Sequence, residues 1–213
     1  MSSVRPNRRR EPQQDRSRRT VERIVDAAAR VLERDGYRAA STNRIAAEAG
    51  VSPGSLYQYF GDRDALLEAV TARFVARFEE QLVPALRRAV REDQVAATTS
   101  VIDAVLAALE QQAPLLRALV ARIPPERQAE LTRAIRERVT DYVFGTLARQ
   151  HVELSPDALD RLTWVVVELA QSLPLRYVVD APPIPREAFV ADVARLVLAH
   201  VAGVVADEGA IAS

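Results

Sequence analysis

The chain has 213 residues, 48% hydrophobic and 27% charged, with 12 Pro, 7 Gly and no Cys. That is enough apolar material for a buried core; it excludes a wholly disordered chain, and the absence of thiols excludes disulfides and thiolate metal sites. Net charge is zero, yet residues 1–61 hold 12 Arg against 7 acids and the remainder 17 Arg against 22, so a polyanion partner suits the front part only. Every base is an arginine, whose planar fork matches phosphate.

Residues 1–17, MSSVRPNRRREPQQDRS, read as a basic arm that is disordered when free. The arm has no apolar run and so does not read as a secretory signal. It is either a solubilising tail or a segment that touches a nucleic-acid backbone or minor groove. From Thr20 the pattern turns helical. Val21, Ile24, Val25, Ala28, Val31 and Leu32 form one stripe, with Thr20 as cap and Asp35-Gly36 as stop. Ser41 or Thr42 opens a second, short helix with Ile45, Ala46 and Ala49 inward, ended by Gly50. Ser52 caps a third, with Pro53 at the first position, where a missing N–H costs nothing.

Gly61 closes that helix, and Asp62 caps a fourth over 63–82. Further helices are predicted over 83–92, from Ser100 (capping-box spacing to Asp103) to Gln112, and from Pro114 to about 122. A long one follows over 125–150 with Leu131, Ile135, Val139, Tyr142 and Thr146 on one side. Ser155-Pro156 opens another to about 178, Pro182–Pro185 is a rigid linker, and the last helix runs to about 206. No alternating strand pattern persists, so the fold class is all-α, with about nine helices. The two most apolar windows, 162–179 and 188–206, are interrupted by Glu168, Pro174 and Arg176 and by Asp192, Arg195 and His200. Neither is expected to span a membrane.

On a helical wheel, Leu56 and Phe60 fall together with Pro53 and Tyr59 beside them, facing the partner helices. Gly54, Ser55 and Gln58 fall on the opposite side, with Tyr57 at the margin. A short helix held across another by a Gly turn, with small and amide residues outward, is a helix-turn-helix whose second helix enters a major groove. Gly54 and Ser55 admit close approach of the duplex, Gln58 reaches base edges, and the hydroxyls of Thr42 and Tyr57 suit phosphate oxygens.

The segments TVERIVDAAARVLERDGYRAAST, NRIAAEAGVSPGSLYQYF and GDRDALLEAV resemble the DNA-binding domain of the TetR family of transcriptional regulators, strongly over residues 18–70. The resemblance implies that Thr42, Tyr57 and Tyr59 contact phosphates and that Asn43, Ser55 and Gln58 touch bases. Arg63 stands where relatives commonly carry Lys at the start of the fourth helix. The DNA-contacting set is therefore Thr42, Asn43, Arg44, Ser52, Pro53, Gly54, Ser55, Tyr57, Gln58, Tyr59 and Arg63, with Asp62 and Asp64 as helix-start acids.

The same resemblance divides the chain into the arm 1–17, a helix-turn-helix domain 18–62 and a helical effector-binding and dimerisation domain 63–213. It implies that the last two helices form a four-helix bundle with a twin subunit, through Leu162, Val166, Leu169, Leu173, Phe189, Val193, Leu196, Val197, His200 and Val204. A plain core is the alternative for these positions. An effector cavity is expected among Phe74, Phe78, Tyr142, Phe144, Trp164, Glu168 and Gln171, the carboxylate being the polar anchor; core packing is again the alternative. Two distant histidines, His151 and His200, and no cysteine argue against a metal site, and no cofactor is implied.

The implied function is a cytoplasmic repressor that binds a palindromic duplex operator as a homodimer and is released by a small, largely apolar ligand, without membrane association. A regulator lacking a small-molecule effector, or an activator, remains open. No Gly-rich phosphate loop, Cys/His dyad or nucleophile elbow points to an enzyme.

Overall fold

The computed structural model describes residues 11–120, 140, 145 and 154–211, and every described element is a helix. In order these are α1 (Glu11–Ala39), α2 (Thr42–Ala49), α3 (Pro53–Tyr59), α4 (Arg63–Ala89), α5 (Gln94–Glu110), α6 (Ala113–Val120), α7 (Pro156–Asp180) and α8 (Arg186–Ile211). The helix predicted over 125–150 lies outside the described residues apart from 140 and 145, both helical. Tyr142, Phe144, His151 and residues 1–10 of the arm lie outside them too.

Two compact units emerge. The first takes the described residues up to Phe74 together with 118–120; the second takes 75–117 and the described residues beyond 123. The division thus falls inside α4. In the first unit, Ile24, Val25, Ala28, Val31 and Leu32 of α1 are buried with Ile45 and Ala46 of α2, Leu56 of α3, Phe60, and Leu66 and Val70 of α4. The capping chemistry is local and follows the residues. Ser41 accepts from the Arg44 N–H, Gly50 takes the left-handed φ of 65° that ends α2, and Ser52 accepts from the Ser55 N–H. Asp62 accepts from the Ala65 N–H at 2.7 Å and so opens α4.

Four boundaries differ from the sequence expectation. α1 begins at Glu11, not Thr20, so residues 11–17 of the expected arm are helical. Pro12 sits in the first turn, where a missing donor is harmless, and Thr20 donates its hydroxyl to the Arg16 carbonyl instead of capping. α1 is broken at Gly36 (φ 74°), as expected, but regains a turn to Ala39. α4 is one helix to Ala89 rather than two. Leu82, Ala85 and Ala89 are buried on either side of Pro84, while Pro84 and Glu80, whose carbonyl loses its donor, are exposed. α5 starts at Gln94 because Asp93 accepts from the N–H groups of Val95 and Ala96; Ser100 lies within the helix and donates to Glu92.

The second unit is held by α5 packing on α7 and α8. Leu162, Val166, Val167 and Val197 form a buried cluster, flanked by Leu159, Leu169, Val201 and Val204. Arg186 at the head of α8 reaches Asp103 at 2.6 Å and Glu110 at 3.0 Å on α5. Tyr177 stacks on Phe189 at 4.2 Å and donates to the Ile184 carbonyl, fixing the α7–α8 turn. By length and a mean hydropathy of 1.8, the segment Arg186–Glu208 qualifies as a possible membrane span. It does so by length and composition only, a test that a packed core helix also passes, so the expectation that it does not span a membrane is not overturned.

Candidate nucleic-acid interface

α3 is seven residues long and cannot persist alone. It is anchored by Leu56, fully buried, and by Phe60 just past its end. Pro53 and Tyr59, expected to flank them inward, are exposed instead. A seven-residue helix has room for one inward row, and Leu56 and Phe60 fill it. The rest of α3 faces outward: Pro53, Gly54, Tyr57, Gln58 and Tyr59 are exposed and Ser55 is half-buried.

A Cβ built on Gly54 would meet only Ser52 Oγ, at 3.9 Å. Nothing within the protein therefore requires glycine there, and its φ lies outside the left-handed range. Tyr57 is half exposed, and its hydroxyl lies 3.1 Å from Thr42 Oγ1, so the first turn of α2 and the middle of α3 present paired hydroxyls. Ser52 and Ser55 share a second hydroxyl pair at 2.9 Å. Asn43 and Arg44 are exposed on α2.

Arg63 is placed differently from the rest of the expected set. Its Nη2 donates to the Tyr37 carbonyl, its guanidinium lies 4.4 Å from the centroid of the Tyr37 ring, and its Nε is buried with no partner. It ties the head of α4 to the turn after Gly36. A second tie joins Arg73 of α4 to Asp26 of α1.

Sequence reasoning missed a charge network along α1 and α2. Arg30 pairs with Glu48 at 3.0 Å, Arg34 bridges Glu48 (3.1 Å) and Asp35 (3.0 Å), and Arg44 reaches Asp35 at 3.5 Å. The Arg34 hydrogen bond is the main cause holding the Asp35 carboxyl below its usual range; those from Arg30 and then Arg34 do the same for Glu48. The i, i+4 spacing of Arg30 and Arg34 was the one visible signal; their partner on α2 was not.

Of the expected effector residues, Tyr142 and Phe144 lie outside the described residues, and the others differ in exposure. Phe74 and Phe78 are buried, Trp164 is 56% exposed, and Glu168, which accepts from Ser172, is half-buried like Gln171. A wide groove of about 740 Å³ is lined instead by Gln81, Arg88 and Glu92 and by one face of α5 that includes Ser100, Asp103 and Gln111. Trp164 lies two residues, about half a turn, from each of the α7 residues that pack inward, Leu162 and Val166, and so falls on the opposite side of that helix. The expected seam residues are covered to different degrees within one copy. Leu162, Val166, Val193 and Val197 are covered within the chain and Phe189 is stacked on Tyr177, which leaves Leu196 as the strongly exposed member. Leu169, Leu173, His200 and Val204 are half-buried.

The comparisons with known proteins agree with this geometry. The family model for bacterial regulatory proteins of the tetR family matches residues 24–70, and that for the tetracyclin repressor-like C-terminal domain matches residues 93–200. The HTH-type transcriptional regulator UidR of Escherichia coli K12 is 26% identical over 155 residues, covering 68% of this chain and 74% of the relative. The regulator BetI of Paraburkholderia phytofirmans is 32% identical over 98 residues, 46% of this chain and 50% of the relative. A tetR-family regulator from Streptomyces coelicolor shares the fold with a TM-score of 0.69 at 20% identity, over 92% of this chain and 86% of that one.

Proposed function

The chain belongs to the TetR family of bacterial regulatory proteins and is a helix-turn-helix transcriptional regulator; from that premise we propose that it is a dimeric repressor, released from a palindromic operator by a small ligand. The matched relatives are regulators of transcription, not enzymes. The observation that carries the DNA-reading assignment is the outer face of α3, where a glycine that internal packing does not demand stands beside Ser55 and Gln58. Smallness there serves an outside surface approaching closely, and the Gln58 amide matches an adenine edge. Thr42, Tyr57 and Tyr59 hold phosphates and fix register, Asn43 assists Gln58, and Ser52 and Pro53 set where α3 begins. Arg63 acts as a brace from α4 to Tyr37.

Residues 18–62 form the reader in this scheme, and 63–213 the effector and dimer part. The outward surface of α8 supports pairing of two copies. Leu196 is 52% exposed, and beside it Ala199, Ala202, Gly203 and Ala206 are exposed small residues that let a second helix approach. Isologous pairing then requires half-sites related by a two-fold axis. An effector acts only through its differential affinity for the DNA-competent and incompetent dimers. The protein works where the chromosome is, in the bacterial cytoplasm. The test is a footprint on the duplex upstream of its own gene: wild type protects a two-fold element, and Gln58→Ala loses preference within it. Absence of protection at low salt, with no effector added, overturns the assignment.

A further inference from the structure

Two charges at the edge of the reader are placed against the helix that carries them. Asp35 closes the straight run of α1 just before Gly36, where free carbonyls disfavour a carboxylate. Arg44 lies in the first turn of α2, where free N–H groups disfavour a cation. Neither residue gains from its own helix, and the two face each other: Arg44 Nη1 is 3.5 Å from Asp35 Oδ2. Arg44 is two residues from Thr42, whose hydroxyl meets Tyr57 of α3. We infer that Asp35 competes with DNA phosphate for Arg44 and so sets how tightly α2 grips a duplex, an inference that rests on the DNA-binding reading above.

The rest of the network makes this competitor durable. Arg34 donates to both oxygens of Asp35, at 3.0 and 3.1 Å, which fixes the carboxylate in place and keeps it ionised. Glu48 holds the other end of Arg34 and also takes Arg30. Asp35 is thus immobilised, whereas the Arg44 side chain is 58% exposed and reaches it by a single long contact. An exposed pair of this length is weak and screened by salt, so a phosphate oxygen displaces Asp35 without disturbing α1. Asp35 is a positioning residue: it acts on DNA only through Arg44.

The test is binding of the full chain to a labelled duplex of arbitrary sequence across a salt series, with a two-by-two mutant cycle. Asp35→Asn tightens binding by about two- to fivefold, the range expected for releasing one exposed ion pair, and steepens the salt slope. In an Arg44→Ala background the same substitution gives no such gain. Glu48→Gln removes an identical charge from the same network, but the ion pairs of Glu48 are with Arg30 and Arg34, so its effect changes less between the two backgrounds than that of Asp35→Asn. Asp35→Ser repeats the measurement, with a thermal melt confirming that each variant folds. Equal gains for Asp35→Asn with and without Arg44, or no gain at all, overturn the inference. Wild type failing to bind at low salt would instead overturn the DNA reading on which it stands.

Discussion

Trp164 is the single tryptophan of the chain and is 56% exposed within one copy. If the outer faces of α7 and α8 meet their counterparts across a two-fold axis, that ring is the most informative reporter in the molecule. An aromatic side chain buries up to roughly 250 Å², so about 140 Å² of Trp164 remains to be covered. At about 25 cal/mol per Å² this is about 3.5 kcal/mol per protomer, counted twice across an isologous seam. If the seam covers half of each exposed ring, Trp164→Ala weakens the dimer by about 3.5 kcal/mol in total, or about 300-fold in Kd. The assay is emission of the one indole on serial dilution, run beside sedimentation. The emission maximum shifts to the red as the dimer dissociates, and the variant sediments as a monomer at concentrations where wild type does not. Two results refute the reasoning: a 23.5 kDa species alone at micromolar wild type, or a dimer whose Trp164 emission is insensitive to dilution.

Tyr57→Phe removes the hydroxyl 3.1 Å from Thr42 and weakens binding alike on all duplexes, whereas Gln58→Ala relaxes preference at one base pair per half-site by about 1–3 kcal/mol; indistinguishable behaviour in competition binding refutes the division of roles. Arg63→Ala loses the Tyr37 stack and carbonyl bond, lowering stability in urea melts by about 1–2 kcal/mol. Its salt slope for DNA stays unchanged, and a slope smaller by one phosphate would return Arg63 to the contact set. Ala181 ends α7 with a left-handed φ of 47°, so Ala181→Gly raises stability by about 1 kcal/mol; a lower melting temperature would contradict the strain. Removing residues 1–17 reduces affinity chiefly at low salt, and an unchanged salt titration would make the segment irrelevant to DNA.

What was legible in the sequence was local. Ser41, Gly50, Ser52 with Pro53, and Asp62 define α2, α3 and the head of α4 within a few residues of chain, and each behaves as its type dictates. Boundaries went astray where distant packing outweighs a local signal. Pro84 punctuates the sequence, yet the helix runs through it because its neighbours are buried, and Ser100 has capping spacing but Asp93 lies closer to the start. Side-chain direction on apolar helices was the least legible. α7 and α8 carry apolar residues all round, so periodicity does not separate the row that faces α5 from the row left outside. Trp164 and Leu162, two positions apart, were assigned to a cavity and a seam with core packing as the alternative for both; within one copy Leu162 is buried and Trp164 exposed. The surroundings of Arg63 were hidden for a related reason. A cation at a helix head suggests a phosphate, but Tyr37, 26 residues earlier, receives it.

The charge excess of the front part has to be read through these pairings. Of the arginines in residues 1–61, Arg30, Arg34 and Arg44 are engaged by Glu48 and Asp35. Arg63, just beyond, is absorbed by Tyr37. Those guanidinium groups shape the reader, and only Arg44, through its weak pair, exchanges readily. Exposed charge lies earlier as well, on the first turns of α1, where Arg16, Arg19 and Arg23 stand at helical spacing along one edge. Seven residues of helix span about 10 Å, over which a duplex axis carries about six phosphates. A rigid edge of that length holds its cations at fixed separation, where a flexible arm would lose conformational entropy on contact. If this segment meets DNA, the helical state of residues 11–20 therefore lowers the ordering cost that a disordered arm would carry.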